Sequence, residues 1–534
     1  MSERTGKPDR PVRSPPSASR ISSLFPRSSK CIKSKNRPFL GPKFVTVSSL
    51  SFPSSSSSPQ ARTGMAPQGA LVCYFFLHLL LALAPVASSQ KVVTTLPGYD
   101  GELPFYLETG YIGVGDLEES QLFYYFVESQ RSPALDPLML WLTGGPGCSV
   151  LSAFFYESGP VEFSYVGYNG SLPSMHVNPH TWTQGLNIIY VDAPIGTGFS
   201  YSTTAENYYI DDYRASYEIY QFLRKWLIQH PQFLKNILYI GGDSYSGIPL
   251  PMVVKLIYDG NGDGAVPYLN LKGYVLGNPK TDDFVDDNSR VPFAHRLTLI
   301  STEQFEEATE ACNGDFVNIN ASNADCDTDI GAIDVMVEEI NLMHVLEPIC
   351  QVAYSRPAKT IRGKTVVFEE DYENFLATGA KAAHWCRDYN YVLSAIWAND
   401  KTVRAALGVR EGTKGVWNRC NSSLAYTKSV TSSVGYHQNL STSNLRALIY
   451  SGDHDMSVTH IGTQNWIYSL NLTLYDVWRP WFVDGQIAGY TQEFINDDFT
   501  LDYATIKGAG HVAPEYKPKQ CYEMLDRWLA YYPL

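Results

Sequence analysis

Short, continuous apolar runs separated by Gly- and Pro-rich turns recur along the chain beyond residue 90. Leu138–Leu142, Ile188–Val191, Ile237–Ile240, Tyr274–Leu276, Ala447–Tyr450 and Tyr503–Ile506 are such runs. Their brevity, without polar alternation, predicts strands buried on both faces. Between the second and third the period changes. From Asp211 to Gln229, Tyr220, Leu223 and Leu227 share one helical face with Phe222 and Trp226 beside it, and Pro231 closes the segment. Strand, helix, strand in this order predicts an α/β fold with a mostly parallel central sheet. A second helix is expected to include Met252–Tyr258 and to end at the Gly-rich turn 259–264.

From about 281 to 400 the texture differs. Thr302–Cys312 and Ile333–Leu346 read as helices with acidic stretches between, and the strand pattern resumes at Arg446. An insertion into one domain is more economical than a second domain. The expected organisation is therefore a core over 90–280, a helical cap insertion over 281–400 and the rest of the core over 401–534. The basic patch Lys359–Lys364 and the stretch Asp371–Gly379 are expected in an exposed loop. No repeat of solenoid length is present.

The front end does not read as fold. Residues 1–64 hold 12 Lys/Arg against Glu3 and Asp9, with Ser-rich runs and no period, a composition that does not bury a core. An apolar run, Leu71–Ala84, and the small residues of Pro85–Ser89 follow Met65 and fit a signal peptide over 65–89. An organellar transit peptide is the competing reading. The run is shorter than the ~20 residues of a membrane span, so no stable membrane anchor is expected. Removing residues 1–64 from the chain's 41 basic and 54 acidic side chains leaves 29 and 52, a formal charge near −23. Such a surface repels nucleic acid and anionic membranes. Cys148, Cys312, Cys326, Cys350, Cys386, Cys420 and Cys521 then remain, and their odd number predicts three bridges and one free thiol. Sequons at Asn169, Asn320, Asn421, Asn439 and Asn471 are candidate glycosylation sites on that route.

Candidate chemistry centres on Leu238–Gly247, where an apolar run enters a tight turn carrying Ser244 between Gly242 and Ser246. Small residues two before and two after a serine fit a nucleophile elbow, although glycine is usual where Ser246 stands. A serine nucleophile needs a base, and the base an orienting acid, in the α/β-hydrolase order Ser, Asp or Glu, His, each after a strand. Ser451–Asp455 offers Asp453 and Asp455, and Gly508–Pro514 offers His511. Asp453 is placed to bond its own turn, whereas Asp455 is placed to reach a neighbouring loop and is the preferred acid. Oxyanion donors are expected from the backbone of Tyr245 and from the glycine-rich loop Trp141–Ser149. His176 and His180 flank Pro179 and do not form a metal-binding helix face, and no C-x-x-C pair indicates zinc, so no metal is expected. Gly113-Val114-Gly115 lacks the rest of a dinucleotide motif.

These segments, together with Val191–Tyr201 and Tyr274–Pro279, resemble the serine carboxypeptidases and the serine carboxypeptidase-like acyltransferases of plants over nearly all of residues 91–534. The resemblance implies an α/β-hydrolase fold, a triad of Ser244, Asp455 and His511, oxyanion donors at Gly145 and Tyr245, and no cofactor. By the same analogy Cys148 pairs with Cys420, Cys312 with Cys326 and Cys350 with Cys386, leaving Cys521. Substrate contacts are implied at Thr143, Gly144, Glu157 and Asp243. In the peptidase branch an asparagine at position 143, a glutamate at 243 and a glutamate at 157 resemble the set that holds a peptide's terminal carboxylate. Only Glu157 is kept here, and Asp243 is shorter than glutamate by one carbon–carbon bond, roughly 1.5 Å. The pattern is similar to the acyltransferase branch, which implies transfer of acyl groups from 1-O-glucose esters to an alcohol. Carboxypeptidase action on peptide C-termini at acidic pH is the alternative. Either implies the secretory pathway, with the vacuole or the extracellular space as destination.

Overall fold

The six apolar runs become the six central strands of one sheet. A computed structural model of the chain describes residues 90–164, 168, 170–349 and 387–534. Residues 1–89, where a leader and a signal peptide are expected, Asn169, Cys350, Cys386 and the stretches 359–364 and 371–379 lie outside the described residues. Across the sheet the central strands run Asn187–Val191, Leu138–Leu142, Leu238–Asp243, Leu271–Gly277, Arg446–Gly452 and Phe499–Ile506, all six parallel to one another. Antiparallel strands extend both edges: Ser120–Val127, Leu107–Val114 and Gln90–Val92 on one side, Gln486–Asn496 and Thr473–Val483 on the other. The sheet is thus mixed overall and parallel at its centre, in an α/β-hydrolase fold.

Continuous apolarity of the central strands has a direct cause, since both faces are covered. Leu140, Ile240, Leu276 and Ile449 point into one buried cluster with Phe222, Leu223 and Trp226 of the helix Asp212–Gln229. The alternate residues Trp141, Tyr239, Val275 and Leu448 point into another, with Trp528 of the C-terminal helix Pro518–Leu529. The Asp211 carboxylate caps the first of these helices by accepting from Arg214 N, as a helix N-terminus requires.

The helix after Ser244 runs Pro249–Gly262, so it includes Met252–Tyr258 and ends within 259–264 as expected. One expected helix boundary is corrected. The helix expected over 333–346 is Ala324–Val337, started by Asn323 accepting from Cys326 N. Asp325 and Asp327 lie in its first turn, where the helix dipole favours acids, so the stretch that reads as an acidic loop is its beginning. Residues 342–345 leave helical geometry because their backbone bonds elsewhere, as described below.

Register brings the strand ends together. Gly242 pairs with Leu142, Asp243 with Gly277, Gly277 with Tyr450, and Gly452 with Ile506. Thr143, Ser244, Asn278, the 453–455 turn and the 507–511 loop therefore leave the sheet side by side at its carboxyl edge, where open α/β sheets bind ligands.

Candidate active site

Ser244 occupies a strained turn. Its φ is 55°, a left-handed conformation that an ordinary residue adopts at a cost, held between the strand Leu238–Asp243 and the helix Pro249–Gly262. A Cβ on Gly242 would fall 2.4 Å from Ser246 Oγ and 2.7 Å from Leu142 O, so that position has no room for a side chain. Ser246 is more than a tolerated glycine substitute. Its hydroxyl donates to Asp243 O at 2.7 Å, closing the turn from inside.

His511 and Asp455 line up behind the hydroxyl. His511 Nε2 lies 2.8 Å from Ser244 Oγ, and His511 Nδ1 lies 2.7 Å from Asp455 Oδ2. Because the carboxylate only accepts, Nδ1 carries the donated proton and Nε2 presents its lone pair to the serine hydroxyl. Asp455 is fully buried and also accepts from Asn278 Nδ2 at 2.8 Å, Ser457 N at 2.8 Å and Val458 N at 3.2 Å. Asp453 lies off this line. Within its own turn it pairs with the His454 ring rather than with backbone, and it also accepts from Gly508 N of the histidine loop at 2.7 Å. Burial pulls the His511 imidazole toward its neutral form, but the Asp455 carboxylate, its hydrogen bond and nearby Asp243 outweigh this, and the ring is more basic than an ordinary histidine.

The glycine-rich loop meets Ser244 from the neighbouring strand. A Cβ on Gly144 would stand 2.6 Å from Ser244 Cβ and 2.6 Å from Tyr245 N. Gly145 follows with φ 116°, a conformation reserved for glycine, which swings the loop backbone past the hydroxyl. The loop is anchored beneath by fully buried Asp192, which accepts from Ser149 Oγ at 2.6 Å and Val150 N at 3.0 Å. Tyr245 is anchored by Asp212, which accepts from its phenol at 2.8 Å and from Tyr426 Oη at 2.8 Å. Sequence reasoning gave neither aspartate a role. Both stand in segments whose patterns, a strand end and a helix start, already account for an acid.

Asp243 precedes Ser244, Thr143 precedes Gly144 beside it, and Glu157 lies close enough to Asp243 to feel its charge. Glu157 ends a single π-helical turn, Ala153–Glu157, and is buried. Burial pushes its carboxyl well up, with Asp243 and Glu515 adding to the rise and Arg419 opposing it. Burial likewise lifts Asp243 to about 6, against His511 and the hydrogen bond from the Gly144 backbone. Thr143 Oγ1, Asp243 Oδ1 and Glu157 Oε2 are buried and find no hydrogen-bond partner among the described residues.

A piece of the 281–400 region completes the site. Met456 N and Ser457 N both donate to Leu342 O at 2.9 Å, and His511 N donates to Met343 O at 2.7 Å. Val345 N donates to His454 O at 3.1 Å. One short segment thus holds the backbones of the acid and histidine loops together, a role invisible in sequence because main-chain groups carry it. Cys148–Cys420 and Cys312–Cys326 are bridged, the first beside the glycine-rich loop, and Cys521 is buried and free. Asn320, Asn439 and Asn471 are exposed, whereas Asn421 is half-buried and its Nδ2 donates to Gly196 O at 3.0 Å.

The serine carboxypeptidase family model matches residues 97–531. Serine carboxypeptidase-like 17 of Arabidopsis thaliana is 43% identical over 467 residues, 86% of this chain and 99% of that protein. Serine carboxypeptidase-like 19 of the same plant is 44% identical over 469 residues, 87% of this chain and 98% of that protein. Among solved structures, a prohormone-processing carboxypeptidase from Saccharomyces cerevisiae superposes with a TM-score of 0.61 at 19% identity, over 79% of this chain and 91% of that one. At that identity the likeness concerns the fold.

Proposed function

Because the chain belongs to the serine carboxypeptidase family, we propose that it forms an acyl-Ser244 intermediate and passes the acyl group from a 1-O-glucose ester to an alcohol. His511 takes the Ser244 proton as Oγ attacks the ester carbonyl. The oxyanion is held by the backbone N–H groups of Gly145 and Tyr245, where each donor is worth ~10²–10³ in rate. Collapse expels the sugar, which takes the proton from His511, and leaves the acyl-serine. An alcohol then loses its proton to His511, attacks the same carbonyl and leaves as the new ester, with Ser244 reprotonated. Asp455 keeps the imidazole in the tautomer both halves require.

One observation carries the choice of transferase over peptidase. Thr143 Oγ1, Asp243 Oδ1 and Glu157 Oε2 do not bond one another. A carboxylate-holding set needs these positions linked and reaching the ligand, and Asp243 stops roughly 1.5 Å short of a glutamate. The retained Glu157 favours the second reading, release of C-terminal amino acids at acidic pH. The two bridges and the exposed sequons support a secreted or vacuolar glycoprotein. Purified protein given a hydroxycinnamoyl-glucose with alcohols, and separately a blocked dipeptide, separates the readings. Transesterification is expected to dominate; amino-acid release far faster than transesterification overturns the proposal.

A further inference from the structure

We propose that Asn278 is a positioning residue whose side-chain amide sets the Asp455 carboxylate against His511, an inference that rests on reading Ser244, His511 and Asp455 as the reacting set. Asn278 follows the strand Leu271–Gly277 and is fully buried. Its φ is 42° and its backbone N donates to Tyr450 O at 2.7 Å, so the residue is locked before its side chain is considered. The amide then spans two partners. Nδ2 donates to Asp455 Oδ2 at 2.8 Å, and Oδ1 accepts from Gly452 N at 3.1 Å.

The division of the carboxylate's bonds gives this contact its meaning. Oδ1 is held by the backbone of its own loop, at Ser457 and Val458. Oδ2 faces His511 Nδ1 and Asn278 Nδ2. The Asn278 bond therefore fixes the rotation of the carboxylate on the oxygen that orients the imidazole, and draws charge from that oxygen. Losing the amide frees the rotation and leaves Oδ2 to His511 alone, which strengthens its hold on the imidazolium. Nucleophile activation falls, and the pH below which it is lost moves upward. Other groups also face the pair: Asp243 and Arg290 act on His511, and His460 and Tyr516 on Asp455. None is altered by changing Asn278.

The readout is the rate at which a fluorophosphonate labels Ser244 between pH 4 and 8, which depends on neither acyl donor nor acceptor. Asn278→Gly suits the positive φ and deletes the amide; Asn278→Asp keeps size and backbone preference but replaces the donor with a carboxylate. Both are expected to melt as folded proteins, to label roughly tenfold to hundredfold more slowly, and to show the acid limb raised by about one pH unit. Wild-type rates and limbs in both variants, with Ser244→Ala unlabelled, overturn this inference alone. Labelling that persists in Ser244→Ala overturns the nucleophile assignment, and this inference with it.

Discussion

Replacing Asp243 by asparagine tests whether the residue before the nucleophile is a neutral acid at mildly acidic pH. Burial lifts its carboxyl from the 3.8 of an unburied aspartate to about 6. A group raised in the folded state contributes stability that is fully present below its unfolded value and is lost as pH rises through the folded one. At ~1.4 kcal/mol per pH unit that interval amounts to roughly 3 kcal/mol. Asp243→Asn cannot ionise and does not suffer this loss. Relative to the variant, wild type is therefore expected to weaken by roughly 1–3 kcal/mol between pH 4 and 7, and to hold that deficit above pH 7. Urea unfolding of both proteins at half-unit steps from pH 4 to 7.5 measures it. The same variant removes a carboxylate that makes His511 more basic, so the acid limb of its turnover moves to lower pH. A stability difference flat across the range, with an unmoved limb, refutes the reasoning.

Asp455→Asn is expected to lower kcat by roughly 10⁴ through the wrong imidazole tautomer, while Asp453→Asn costs less than about tenfold and shows mainly as lost stability. Comparable losses in the two would contradict the assignment of the acid. Gly144→Ala, which drives a Cβ to 2.6 Å from Tyr245 N, is expected to lower kcat more than roughly hundredfold and to lower the melting temperature as well, since overpacking a tight site costs roughly 1–3 kcal/mol. Thr143→Asn combined with Asp243→Glu is expected to raise kcat/KM on a blocked dipeptide by roughly tenfold or more and to lower transesterification; no gain argues against carboxylate recognition at this set. In protein secreted from a eukaryotic host, Asn320→Gln, Asn439→Gln and Asn471→Gln each remove one glycan by mass spectrometry. Asn421→Gln leaves the mass of the glycans unchanged, since Asn421 Nδ2 is bonded to Gly196 O.

The central strands were legible because each is buried on both faces and is written as an unbroken apolar run. Leu122–Val127 is a run of the same kind, and its strand is likewise paired on both sides, between Leu107–Val114 and Asn187–Val191. Thr473–Val483 was not read, since much of it faces solvent and shows no unbroken apolar run, although its hairpin with Gln486–Asn496 turns at Asp484-Gly485, a local signal. Ser244 and His511 could be read from the small residues beside them, because a steric demand on Gly242 or Gly510 leaves a mark in composition even where, as at Gly510, the crowding atoms belong to distant Met343 and His344. Asp453 and Asp455 could be ordered as acids after a strand, but their partners depend on how the 507–511 loop returns to the sheet. The boundary of the helix Ala324–Val337 escaped for a related reason: its acids serve a helix terminus, and the residues after Val337 are recruited by other loops.

By itself the sequence determined the strand cores, the elbow, the acid–histidine order and the substitution at positions 143 and 243, since each follows from side-chain size, polarity and spacing. Tertiary structure alone decided what supports them. Asn278 on Asp455, Asp192 under the glycine-rich loop, Asp212 on Tyr245 and the Leu342–Met343 carbonyls on the two catalytic loops join residues far apart in the chain. Hydrogen bonds between a side chain and a distant partner, or between two main chains, impose no period and little composition, and so become visible only when the register of the sheet brings the loops to one edge.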